Sequence, residues 1–255
     1  MKAKSDHSSY HSINIAFTLL LLWIALVWFL SDKFYLSKAH DLIQQGSIHS
    51  QERVDDLTDS IRRNLNYLHG IPDLFSEVVR VKAVVSKFGT SPTPSPLSKE
   101  ERVKKWNNEK AFKNLNQYLE FSAKSLNVDL LYIVNAAGDL ILASNWNKPD
   151  SAIGINISER AYFKLNRNGQ HGVQYAVGKT TKIPGLYFST PILIDGKFYG
   201  AAVAKVDIPH LSFLTRQMNA FVVDNNGVVI LARNKALEIH RASKVQTVPV
   251  GRALK

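Results

Sequence analysis

Apolar residues follow three successive patterns along this chain. From Ile13 to Leu30 they are continuous: INIAFTLLLLWIALVWFL holds 18 residues, no charge, and only Asn14 and Thr18 as polar interruptions. At about 1.5 Å per residue such a run nearly crosses a hydrocarbon core of about 30 Å, and Trp23 and Trp28 suit its interfaces. This predicts an uncleaved membrane anchor. Ser37-Lys38-Ala39 loosely fits a signal-peptidase rule, but it lies well beyond the apolar run.

Past the anchor the spacing turns helical. Val54, Leu57, Ile61, Leu65 and Leu68 recur at intervals of 3, 4, 4 and 3, one stripe of an amphipathic helix. Two readings stand for that stripe, packing onto its own domain and a dimer seam. Gly70-Ile71-Pro72 is expected to end or kink the helix, with a second helix over 73–88. The loop GTSPTPSPLS follows. Ser98 with Glu101 then gives a capping-box start for a helix reaching about Leu126.

From Asp129 onward short β-rich runs alternate with turn residues. Strands are predicted at 130–135, 140–144, 172–177, 186–193 and 198–207, with a short helix from Ser158 to about Asn166 capped by Ser158. Hairpin-linked strands behind a long helix predict an α+β domain. It has an antiparallel sheet of about five strands with flanking helices. One hairpin occurs twice. Tyr132 to Asn145 (YIVNAAGDLILASN) and Phe221 to Asn234 (FVVDNNGVVILARN) align without a gap. Val134/Val223, Gly138/Gly227, Ile141/Ile230, Leu142/Leu231, Ala143/Ala232 and Asn145/Asn234 are identical pairs. The chain is therefore read as two copies of one module, the second of them partial.

Composition narrows the function. There is no cysteine, which excludes disulfides, thiolate metal sites and cysteine nucleophiles. The formal charge of +11 is scattered, with no basic block, so no nucleic-acid partner is expected. The eight histidines show no metal-ligand spacing, and no metal or cofactor is expected. Gly178-Lys179-Thr180 fails as a phosphate loop, because the glycine spacing is wrong and Pro184 stands where a helix should run. No catalytic residue can be named and no enzyme is expected.

Strand parity puts Tyr199, Ala201, Val203, Lys205 and Asp207 on one face, Tyr187, Ser189 and Pro191 on another, and Val173, Tyr175 and Val177 on a third. If the three coincide they form a polar concave surface that Arg160 and Tyr162, on the short helix, would close. The guanidinium suits a carboxylate bidentately and a lysine opposite suits a second one. The alternative is that the tyrosines are core aromatics and Lys205 simply pairs with Asp207.

The blocks LLYIVNAAGDLILASN, ERAYF, QYAVGKTTKIPGLYFSTPI, DGKFYGAAVAKVDIPHL and AFVVDNNGVVILA, in this order, resemble the double Cache sensor domain of bacterial transmembrane receptors. Such receptors include C4-dicarboxylate-type sensor histidine kinases and related diguanylate cyclases. The resemblance covers about residues 31–240. It implies two PAS-like modules outside the bacterial inner membrane, the distal one holding a small organic anion or amino acid. By position it assigns ligand binding to Arg160, Tyr162, Tyr175, Tyr187, Ser189, Lys205 and Asp207, with Asp207 either holding a ligand ammonium or neutralising Lys205.

The implied organisation is a cytoplasmic tail over 1–12, a transmembrane helix over 13–30 and a helical stalk with its loop over 31–97. A membrane-distal ligand-binding module would span 98–209, and a partial membrane-proximal module 210–255. The implied function is a single-pass sensor module in two-component-type signalling, its partners a small ligand, the bilayer, and a homodimer or receptor through the long helix. Full-length relatives continue into a kinase, cyclase or chemotaxis output. Since this chain stops at Lys255, it is expected to be truncated or a stand-alone binding subunit. The rival function is an interaction subunit, without ligand, that pairs with a full-length receptor.

Overall fold

The structure, a computed structural model, describes residues 6–89, 91, 93–215, 221–223 and 227–232. The tail beyond residue 232 and the second hairpin's turn at 224–226, both read above from sequence, lie outside the described residues. The chain divides into two compact units, Met1–Asp59 and Ser60–Lys255.

Helix α1 (Asp6–Ser76) supplies nearly all that is described of the first unit. Its stretch Phe17–Tyr35 has a mean hydropathy of 1.7 and none of it is buried, so it is long and apolar enough to cross a membrane. It overlaps the span expected from Ile13 to Leu30.

In the second unit the last turns of α1 are buried. Leu65 and Leu68, from the predicted stripe, join Ile71 and Phe75 in the core, so this half of the stripe packs onto its own domain. The side chains of Val54 and Leu57 lie outside the described residues. The stop expected at Gly70-Ile71-Pro72 does not occur: Pro72 sits inside the helix, which ends at Ser76. Ile71, Pro72 and Phe75 are all buried. Their apolar burial outweighs the one hydrogen bond that proline cannot donate.

Helix α2 (Val79–Phe88) follows. The single helix expected from Ser98 to Leu126 is two, α3 (Lys99–Asn107) and α4 (Lys110–Ser125), broken at Asn108–Glu109, where two consecutive asparagines favour turn geometry over helix. The capping box forms as expected. Ser98 Oγ accepts from the Glu101 amide at 3.2 Å, and the Glu101 carboxylate accepts from the Ser98 amide at 2.8 Å. Ser98→Ala should cost about 1 kcal/mol of stability, read as a shifted denaturant midpoint with unchanged slope.

Five strands build one antiparallel sheet: β1 (Leu130–Asn135), β2 (Leu140–Ala143), β3 (Gly172–Val177), β4 (Pro184–Ile194) and β5 (Lys197–Asp207). Their spatial order is β2-β1-β5-β4-β3. Helix α5 (Ala161–Arg167) lies between β2 and β3 in sequence. Directly paired residues share a face. Leu130, Lys205, Tyr187 and Gln174 are therefore on one side of the sheet, and Leu131, Ala204, Phe188 and Val173 on the other.

Helices α1, α2 and α4 cover the second side. His69 of α1 meets Phe188 edge-on with ring centroids 5.4 Å apart, and Asn116 of α4 accepts from the Ala143 amide at 3.0 Å. Burial holds the pKa of His69 below its ordinary value. At the same junction Asp73 of α1 accepts from the Thr190 hydroxyl of β4 and pairs with His171 at 3.1 Å.

The internal repeat is visible in the ladders. In β1–β2 Tyr132 faces Ala143, Ile133 faces Leu142 and Val134 faces Leu140, with a register shift after Ile133. In β6 (Phe221–Val223) and β7 (Val229–Ala232), Phe221 faces Ala232, Val222 faces Leu231 and Val223 faces Val229, with the shift at the matching place. Gly138 (φ 90°) and Gly227 (φ 76°) both take the left-handed backbone that their turns need.

Candidate functional site

The sheet face away from α1 carries α5 and a small polar cavity. The short helix does not start as expected. Ser158 turns back to hydrogen-bond Asn156 at 2.7 Å, and Arg160 takes the N-cap position without a side-chain cap. The first free amide of α5, from Ala161, is satisfied across the gap by Gln174 of β3 at 3.1 Å. That bond fixes α5 over the sheet and sets where Arg160 and Tyr162 point.

Tyr162 is 1% exposed. Its ring stacks on Tyr187 with centroids 5.4 Å apart and planes 8° apart, and its hydroxyl shares a 2.6 Å hydrogen bond with that of Tyr132. Burial raises the pKa of all three phenols: Tyr132 and Tyr162 far above the ordinary tyrosine range, and Tyr187 up to about 12. At neutral pH they are protonated; one hydroxyl of the Tyr132–Tyr162 pair donates to the other, which leaves one of that pair and Tyr187 to donate to an anion.

Arg160 is half-buried and donates to the Val177 carbonyl at 2.9 Å. Lys205 is 2% exposed and its ammonium pairs with Asp207, itself 13% exposed. The same ammonium donates to Thr181 Oγ1 at 3.3 Å and lies 5.8 Å from the Tyr187 ring centre. Glycine at 185 makes this approach possible. A Cβ there would stand 2.7 Å from Lys205 Cε and 2.8 Å from the Val206 carbonyl oxygen.

The cavity, open on one side, has a volume of about 30 Å³. The sheet wall is Leu130, Tyr132 and Tyr187, the α5 wall is Arg160 and Tyr162, and the third wall is Gly178 to Thr181 from the β3–β4 connection. Apolar Ala152, Ile155 and Ile157 line a further side. Their loop is held by Asp139, buried, which accepts from Arg102 at 2.8 Å, Asn156 at 2.8 Å and the Ser95 amide at 2.9 Å.

Set against the sequence-derived site residues, Arg160, Tyr162 and Tyr187 meet at this cavity. Lys205 and Asp207 lie just behind it, at Thr181. Ser189 is on the same face but fully buried, donating to the Gly172 carbonyl at 3.3 Å rather than reaching the cavity. Tyr175 is a correction. The β3–β4 register sets it opposite Leu186, on the other face from Tyr187, so the faces of β4 and β5 coincide and that of Tyr175 does not. The error lies in the phase of β3, which parity within a single strand cannot fix.

Four polar cavity residues escape the sequence-derived set: Tyr132, Lys179, Thr180 and Thr181. Tyr132 sits in a strand whose neighbour β5 is far along the chain, so its face was not derivable locally. Lys179 and Thr180 belong to the stretch that fails as a phosphate loop, and Thr181 follows it directly.

Among protein families, a model described as "Cache domain" matches residues 39–251. Among curated proteins, the C4-dicarboxylate transport sensor protein DctB of Pseudomonas aeruginosa is 28% identical over 127 residues. That covers 49% of this chain and 21% of the relative. The protein of the same name from Rhizobium meliloti is 29% identical over 119 residues, 46% of this chain and 19% of the relative. The chain thus spans about a fifth of the length of the curated relatives it matches. Among solved structures, the sensor domain of the V. cholerae histidine kinase DctB superposes with a TM-score of 0.61. It is 23% identical, over 78% of this chain and 70% of that one.

Proposed function

This chain belongs to the Cache domain family, and on that premise we propose that it is a membrane-anchored sensor module binding a small carboxylate ligand outside the cell membrane. In this reading residues 13–30 anchor it in a single pass of a bacterial inner membrane, 31–97 form a stalk, 98–209 bind the ligand and 210–255 begin a second module. The observation that carries it is the convergence of Arg160 and Lys179 with the protonated hydroxyls of Tyr132, Tyr162 and Tyr187 on one cavity. A guanidinium and an ammonium beside neutral donors form a carboxylate-binding set.

The pairing of Asp207 with Lys205 favours a dicarboxylate over an amino acid. The residue that would hold a ligand ammonium is engaged inside a buried pair, whereas the two cations at the cavity wall, Arg160 and Lys179, are met only by the partly exposed Glu159 and by backbone carbonyls. Ligand binding would then shift the module between two packings in proportion to its preference for one of them.

Calorimetry on the full chain in lipid nanodiscs, with succinate, malate, fumarate and a panel of amino acids, tests this. At least one dicarboxylate should bind, and Arg160→Ala should weaken it by about tenfold or more, equivalent to about 1.4 kcal/mol. A flat response to every ligand, or full affinity in Arg160→Ala, would refute the assignment.

A further inference from the structure

The segment from Gly178 to Ile183 crosses the cavity as a strap. It is closed on itself by the Gly178 amide to the Ile183 carbonyl (3.0 Å) and the Lys182 amide to the Gly178 carbonyl (3.2 Å). Side chains tie it to its surroundings. Lys179 donates to the Asn156 carbonyl at 2.6 Å and pairs with Glu159 Oε1, also at 2.6 Å, while Lys205 reaches Thr181. A cavity of about 30 Å³ has room for one or two water molecules and no more. A four-carbon dicarboxylate enters only if a wall yields, and the strap is the wall held by side chains rather than by sheet hydrogen bonds.

We propose that Glu159 is a built-in stand-in for a ligand carboxylate: it holds Lys179 and keeps the strap shut, and a ligand enters by taking its place on Lys179 and Arg160. This rests on the carboxylate reading above and adds to it the residue that gates the site and tunes its charge preference. The same Glu159 oxygen that touches Lys179 is 3.7 Å from Arg160 Nε, so one carboxylate already sits between two cations of the cavity wall. Both partners of the pair are accessible, Glu159 56% and Lys179 37% exposed. Solvent-exposed ion pairs are the weakest electrostatic ties, which suits a contact made to be exchanged. Partial burial works against the Glu159 charge, yet the Lys179 hydrogen bond holds its pKa below the usual range, so the competitor is ionised at neutral pH.

With Glu159 in place the wall offers little net positive charge, and with Glu159 displaced it offers two cations. Removing its charge should therefore favour dianions over zwitterions.

The chain has no cysteine, so a single Thr180→Cys, on the strap and lining the cavity, reports opening through its maleimide reaction rate. In full chains in nanodiscs, adding Glu159→Gln should speed that reaction at least threefold and tighten succinate binding by a similar factor. Adding Lys179→Gln should also speed it but weaken succinate, a split that a merely structural ion pair would not produce. Faster alkylation in Glu159→Gln upholds the latch whether or not succinate binds. An unchanged rate overturns it even where succinate binds. No carboxylate binding by the unlatched chain or its parent overturns the ligand reading and not the latch.

Discussion

Replacing Lys205 with alanine is expected to lower the stability of the Ser60–Lys255 unit by about 3–5 kcal/mol, the range for removing one partner of a buried ion pair. Lys205 is 2% exposed and Asp207 13%. Loss of the ammonium leaves the Asp207 carboxylate in a low-dielectric setting without its cation. The lysine stem also fills the space that glycine at 185 leaves, against Tyr187. Its loss adds a packing term to the electrostatic one. Denaturant titration of the full chain in mild detergent would show it as a lower midpoint. The double variant Lys205→Ala/Asp207→Asn should recover a good part of the loss, because no uncompensated charge remains. A loss below about 1 kcal/mol in the single variant would mean that water reaches the pair, contrary to its burial.

The tyrosine cluster predicts a steep alkaline limit. In the folded chain Tyr132, Tyr162 and Tyr187 keep their protons well past the ordinary phenol value of 10.0, Tyr187 to about 12. An unfolded chain releases them near 10. The contribution is fully present below pH 10 and is lost as pH climbs toward the folded values, because over that window the unfolded state binds fewer protons. Each tyrosine removes about 1.4 kcal/mol per pH unit, so the three together remove on the order of 4 kcal/mol per unit. Urea midpoints taken through this window would measure it. Tyr132→Phe/Tyr162→Phe, which deletes both partners of the hydroxyl pair and keeps the ring stack, should cut the slope by about two-thirds. A flat profile in the parent chain would contradict the burial of these hydroxyls.

Much of the architecture was legible because it rests on local signals. Gly138 and Gly227 mark hairpin turns, Ser98 and Glu101 mark a helix start, and the apolar β-rich runs at 130–135 and 198–207 give strands that the structure reproduces within a residue. What was misread required long-range information. Pro72 stays helical because its turn is buried, and burial is decided by partners far along the chain, such as Tyr118 against Phe75 and Phe188 against His69. Tyr175 was assigned to the wrong face because β3 and β4 are joined through 178–183, whose turn fixes the register and has no spacing rule. Tyr132 went unnoticed for the same reason, since its strand is completed by β5. Arg160, Tyr162 and Tyr187 are legible because strand parity and the short helix already bring them to one surface, which the family resemblance then supports. Lys179 sits in a block that looked like something else.

Tyr187 and Thr190 stand three residues apart on β4 and look to opposite sides of the sheet, one into the cavity wall and the other onto Asp73 of α1. About 10 Å of stiff extended backbone joins them. The sheet therefore works as a transmission plate: whatever tilts β4 from the cavity side must also tug on the end of α1, with no separate relay of side chains in between.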